Sequence, residues 1–155
     1  MPIRSIVRRL TMLMAIAGCI VAPWLMAVSA QDGASDPRQR LVLPAQQRDG
    51  VLAEMRLMLG AMSGVIDGLS RNDPKAAAEA ARSAGMTVAV DTAPQLQALL
   101  PPEFRDLGMA THRSFDSLAD RLAAGATTSQ ALSGLADITR NCIGCHATYR
   151  IDEAR

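Results

Sequence analysis

Near its end the chain carries Cys142-Ile143-Gly144-Cys145-His146, two thiols three residues apart with an imidazole directly after the second. Such a set admits few chemistries. A plain disulfide between neighbours this close leaves His146 without a role. A structural zinc ion needs a fourth ligand, and the other histidine of the chain is His112. A thioredoxin-like redox pair sits beside a βαβ unit, and no such pattern is present. Two thioether bonds to a porphyrin need two thiols at fixed spacing, with an axial imidazole following at once. Cys-x-x-Cys-His meets that need and is the attachment signature of c-type haem. Cys142 and Cys145 are therefore expected to hold one haem c covalently, with His146 ligating its iron.

The elements that must position these residues read as helices. After residue 30 the chain is rich in alanine, leucine, methionine, glutamine and arginine, and no strand pattern is seen. Residues 31–44 read as a flexible, polar lead-in. A first helix is expected over about 45–71, with Leu52, Met55, Leu59, Met62, Ile66 and Leu69 as its apolar stripe, widened by Met58 and Val65. Asn72-Asp73-Pro74 ends it and opens a second helix, from Lys75 to Ala84, with Asp73 as N-cap, Pro74 at the first position and Gly85 as C-terminal cap. Residues 86–100 are ambiguous, with Asp91-Thr92-Ala93-Pro94 a candidate start for a further helical turn.

A third helix is expected from about Glu103 to Ala124, with Phe104, Leu107, Thr111, Phe115, Leu118 and Leu122 facing inward. His112 falls one position off that stripe and reads as a flanking or surface histidine. Thr127-Thr128-Ser129-Gln130 offers a capping box for a fourth helix. On that helix Ala131, Leu135, Ile138, Cys142, Cys145, His146 and Tyr149 share one side, turned to the core. Four amphipathic stripes with short connections imply an all-α, antiparallel four-helix bundle with one covalently attached haem. A porphyrin in its centre fits a chain that after residue 30 has only Phe104, Phe115 and Tyr149 as aromatics.

The N-terminus reads as a targeting segment. Arg4, Arg8 and Arg9 precede an apolar run that ends at Val28-Ser29-Ala30, so residues 1–30 are expected to be a cleaved signal peptide and the protein periplasmic. Two other readings remain: a retained membrane anchor, and a lipidated Cys19 in the lipobox-like Ile16-Ala17-Gly18-Cys19. Cleavage removes three arginines and no acids, taking the formal charge from +1 to −2. That balance lacks the basic surplus of a nucleic-acid binder. The domain proper is then residues 45–155.

Only nine residues follow His146, none of them methionine, so an earlier helix must close the far side of the haem. A haem motif so near the C-terminus of a helical chain, continuing as Cys142-Ile143-Gly144-Cys145-His146-Ala147-Thr148-Tyr149-Arg150, resembles the class II c-type cytochromes, the cytochrome c′ superfamily. The resemblance implies a four-helix bundle, often a homodimer, with the haem held by the fourth helix and facing the first. It also implies an arginine, here Arg150, near the haem and its proximal histidine, with Tyr149 beside it. A helix-end cation next to a half-buried phenol is the other reading of that pair.

The family has a low-spin, electron-carrying branch with a methionine on the distal side, and a five-coordinate branch that binds small gases. Met55-Arg56-Leu57-Met58-Leu59-Gly60-Ala61-Met62 resembles the first, with Met55 as distal ligand and Met58 as the alternative. Arg48-Asp49-Gly50-Val51-Leu52-Ala53-Glu54-Met55 resembles the second, leaving an open iron under Leu52 or Leu59 for nitric oxide or carbon monoxide. All these methionines also suit plain core packing. Arg48 and Arg56 have the chemistry to pair with haem propionates, or else lie on a solvated face. The sequence departs from the family in lacking a longer, aromatic-bearing connection between the second and third helices.

Catalytic serine, paired-carboxylate and phosphate-loop patterns are absent. The sequence therefore reads as a monohaem electron carrier with a periplasmic redox partner protein, or as a gas-binding haem protein, and not as an enzyme.

Overall fold

The computed structural model describes residues 36–90 and 94–154. The expected signal peptide, Cys19 and the candidate helix start at Asp91-Thr92-Ala93 lie outside the described residues. Asp36 and Pro37 have no regular structure, and a compact unit begins at Arg38.

That unit is mostly helical, with one small sheet. In chain order it comprises β1 (Gln39–Leu43), α1 (Ala45–Ser70), α2 (Pro74–Arg82), α3 (Met86–Val90), α4 (Pro94–Leu99), α5 (Pro102–Ala123), α6 (Thr128–Thr148) and β2 (Tyr149–Glu153). Among the described residues no helix is long and apolar enough to cross a membrane.

The helix ends follow from local chemistry. The Asp73 carboxylate accepts from the Ala76 amide at 2.9 Å and Pro74 takes the first position of α2. Thr127 and Gln130 form a reciprocal capping box at the start of α6. Between α5 and α6, Gly125 adopts a φ of +87°, a left-handed conformation that costs glycine little.

Gly85 does not act as the expected left-handed cap. The helix before it ends at Arg82, and Gly85 instead gives room for Asp116, whose Cγ would stand 2.6 Å from an added Cβ. Space of the same kind joins α1 to α2, where a Cβ on Gly68 would lie 2.6 Å from the Ala77 amide nitrogen.

Four helices share one apolar core. Ala61, Val65 and Leu69 of α1 meet Ala77 and Ala81 of α2, Phe115, Leu118, Ala119 and Leu122 of α5, and Ala131, Leu135 and Ile138 of α6. Packing is close between α1 and α2, between α2 and α5, and between α5 and α6. No comparably close packing joins α1 to α6.

The stripe of α1 is turned relative to the expected one. Val51, Ala61, Val65, Gly68 and Leu69 are buried, while Leu59 (67% exposed) and Ile66 (52%) are open. The small residues Ala61 and Gly68 decide this, because they let α2 come near enough to bury their side of α1.

The expected lead-in is also corrected. Residues 39–43 form a strand that pairs in parallel with β2, from Gln39 opposite Tyr149 to Leu43 opposite Glu153. Leu41 and Leu43 alternate inward, the period-2 pattern of a half-buried strand. They pack with Val51, Leu96 and Phe104 in a second apolar cluster at one end of the molecule.

Candidate functional site

The cysteine–histidine motif occupies the last two turns of α6, where the helix leaves the core. Ile138 is its last fully buried side chain. Beyond it Cys142 and Cys145 are half-buried free thiols, and Ile143 is 63% exposed. Helical spacing sets Cys142, Cys145 and His146 on one side. Burial pushes both thiols above their ordinary range; a backbone hydrogen bond offsets this in part at Cys142, and the neighbouring Cys142 adds to it at Cys145. Both are thus protonated thiols at neutral pH.

His146 does not sit in the core, as the periodicity suggested: its residue is exposed. The core stripe of α6 runs out after Ile138, and the helix stops two residues past His146 because the chain turns extended at Tyr149. The His146 carbonyl accepts a hydrogen bond from Arg38 Nη1 at 3.2 Å. Tyr149 likewise is not on the helix but opens β2, its ring edge-on to Phe104 with centroids 5.3 Å apart.

Across from this turn stands Met55. Met55, Cys145, Tyr149 and Ile151 all pack, partly buried, against the second apolar cluster. The candidate distal ligand and one attachment cysteine therefore border the same cluster, although they are ninety residues apart in sequence. Met58, the alternative ligand, packs instead, partly buried, against the four-helix core.

Glycines mark how the two helices are turned. Gly64 and Gly68 face α2, where their added Cβ atoms would strike Ala80 and Ala77. Leu52, Met55, Leu59 and Ile66 lie on the other flank of α1. On α6, Gly134 faces Leu118 and Arg121 of α5, while Leu132, Ile143 and His146 lie across the helix from it. Exposed Leu59 and Ile66 of α1 thus lie on the flank turned from α2, and exposed Leu132 and Ile143 of α6 on the side turned from α5, here the seam flanks. Exposed Leu57 falls on the α2 side of α1 instead.

The remaining expected residues are scattered. Leu52 is half-buried on the seam flank of α1. Arg48 pairs with the adjacent Asp49 at 3.1 Å, and Arg56 is exposed. Arg150 lies in β2 with its Nη1 3.8 Å from Asp152, whose carboxylate also meets Arg40 at 2.6 Å.

His112 is the residue whose place was misjudged. It is 2% exposed, with Nδ1 2.7 Å from the Ala84 carbonyl and Nε2 2.8 Å from Glu54 Oε1. Burial works against its charged form, yet the Glu54 carboxylate and the Ala84 and Gly85 carbonyls outweigh that and raise its pKa above the ordinary value. With two acceptors around the ring, the protonated form donates from both nitrogens. The pair ties α5 to α1 one residue before Met55. A signal existed in the sequence: Glu54 and His112 each fall just beside an apolar stripe, where a half-buried polar pair is satisfied at least cost.

The donor set fits haem c. Two protonated thiols and an imidazole share one side of α6, and the Met55 thioether borders the same cluster as Cys145. Among the described residues no three His, Cys, Asp or Glu side chains converge to hold a metal ion by themselves. Searches of protein-family models, of curated proteins and of solved structures find nothing that matches this chain.

Proposed function

We propose that this chain is a monohaem cytochrome of class II, a four-helix bundle that carries single electrons in the bacterial periplasm. The observation that carries the reading is the Cys142-x-x-Cys145-His146 turn at the end of α6, with Met55 of α1 on the same apolar cluster that Cys145 borders. Haem c, when bound, supplies a one-electron iron couple, and a thioether ligand raises its potential.

The residues have distinct tasks. Cys142 and Cys145 would hold the haem through two thioether bonds, each thiol adding its sulfur and its proton across one vinyl group with no leaving group. His146 offers a ring nitrogen from the same turn, so three bonds depend on one rigid stretch of helix. Met55 offers sulfur from α1. Leu52 is half-buried one turn before Met55, and Leu59 and Ile66 on the same flank of α1 are exposed apolar side chains that a porphyrin beside Met55 would help to cover. Arg38, Arg40 and Arg150 lie at this end of the molecule, Arg40 and Arg150 sharing the Asp152 carboxylate, and their guanidinium groups have the chemistry to meet propionates.

One observation favours a second reading. Leu52 stands one helical turn before Met55 on the same flank, so a one-turn difference in register puts leucine, not methionine, over the iron and gives a gas-binding protein. The visible spectrum of the reduced protein, with and without carbon monoxide, separates the two. A sharp low-spin spectrum indifferent to the gas is expected; a broad high-spin spectrum that changes with it removes Met55 as ligand.

A further inference from the structure

β1 and β2 come from opposite ends of the compact unit and pair in parallel over five residues each. Each strand leads directly into, or out of, a helix of the candidate site. β1 ends one residue before α1, the helix of Met55, and β2 begins where α6, the helix of Cys145 and His146, stops. Arg38 donates to the His146 carbonyl at 3.2 Å, Arg40 meets Asp152 at 2.6 Å, and the Ala154 amide donates to the Leu43 carbonyl at 2.9 Å. Leu41 and Leu43 pack into the cluster that Met55 and Cys145 border. Since α1 and α6 are not closely packed on one another, the pairing of β1 with β2, together with the contact of α1 on β2, ties their site-bearing ends.

A two-stranded ribbon is marginal in water by itself and persists only where it is packed. We propose that this ribbon is a clasp that positions the haem site. It sets where the Met55 turn of α1 stands against the Cys145–His146 turn of α6, and its release opens the distal side. The clasp acts through Met55 and His146 without touching a haem, so Leu41, Leu43 and Arg38 are positioning residues. The inference rests on the reading of Met55 and His146 as iron ligands.

Three variants of the full chain test it. Leu41→Ala removes a clasp anchor outside the four-helix core, Leu135→Ala removes a core anchor outside the clasp, and Leu41→Ile is the conservative rescue. Backbone amide exchange is read on protein made without haem attachment, and carbon monoxide association on reduced holoprotein. Leu41→Ala is expected to speed exchange at residues 51–55 and 145–148 by about tenfold, leaving 61–69 as in the wild type. Its reduced holoprotein is expected to take up carbon monoxide where the wild type does not. Leu135→Ala does neither, and Leu41→Ile restores both. A rise confined to residues 39–43 and 149–153, or equal effects of Leu41→Ala and Leu135→Ala, overturns the clasp. If Leu41→Ala fails to fold, Arg40→Ala loosens only the exposed cross-strand pair, and unchanged exchange at 51–55 and 145–148 then overturns it equally. A wild-type chain that takes up no haem sinks the cytochrome reading, while the exchange arm still decides whether the clasp joins the two helix ends.

Discussion

Replacing His112 by leucine is expected to destabilise the fold by about 2–4 kcal/mol, through loss of hydrogen bonds more than of packing. His112 is fully buried, and its ring donates both to the Ala84 carbonyl and to Glu54. Leucine fills similar space but leaves both acceptors without a donor, at roughly 1–3 kcal/mol for each buried group. The Glu54 side chain retains 22% exposure and recovers some water, so the sum falls below the upper limit. In urea the midpoint should fall by roughly 1–2 M, with a slope typical of a small domain. Glu54→Gln keeps an acceptor and should cost roughly 1 kcal/mol or less.

The pH dependence has a definite sign. His112 has a folded pKa above its unfolded value of about 6.5, so its contribution is complete below that pH and lost as pH rises through the folded pKa. Glu54 faces it from α1, and Asp116 stands one turn further along α5 and feels its charge. The stability gap between wild type and His112→Leu should therefore narrow from mildly acidic to alkaline pH. A gap under about 1 kcal/mol, or one that widens as pH rises, refutes the reasoning.

Three other outcomes follow from the same geometry. Asp116 is disfavoured by burial, but the Met86 amide and Arg82 hold its pKa below the usual carboxylate value, so its contribution is present at neutral pH and lost as pH falls through that lowered pKa. Asp116→Asn should cost about 1–2 kcal/mol at neutral pH by urea titration, and little in strong acid. Gly68→Ala sets a Cβ 2.6 Å from the Ala77 amide nitrogen, where only backbone can give way, so it should lose about 1–3 kcal/mol in thermal or urea unfolding. Met55→Ala should convert the reduced holoprotein to a form that binds carbon monoxide, while Met58→Ala, which cuts into the four-helix core, should lower stability and leave the spectrum as in the wild type.

Helices were legible in the sequence because their termini are chemical. Asp73-Pro74 and Thr127 to Gln130 place two starts to within a residue, and Gly125 places one stop. The face that each helix buries was less legible. On α1, periodicity selected large apolar residues, whereas the observed core selects the side where Gly64 and Gly68 let α2 approach. Leu59 and Ile66 were left outside, on the seam.

The strands were missed for a different reason. Leu41-Val42-Leu43 is too short to show a period, and its partner lies beyond α6, so the pairing is a tertiary event. Tyr149, Ile151 and the intervening polar residues do alternate, but they read as the end of the haem helix. Among candidate site residues, Cys142, Cys145 and His146 stand out in the sequence because haem attachment would need fixed spacing along one chain segment. Whether Met55 or Met58 shares their surroundings depends on the turn of α1, which spacing alone leaves open; Met55 packs against the cluster that Cys145 also borders, and Met58 against the four-helix core.

The most direct test of the haem reading is mass spectrometry after acidic organic extraction of the protein, produced with haem-attachment machinery, followed by tryptic mapping. One haem should resist extraction and map to the peptide from Asn141 to Arg150, with neither Cys142 nor Cys145 open to alkylation. Complete loss of haem on extraction, or a peptide with two alkylated thiols, contradicts covalent attachment and with it the cytochrome assignment.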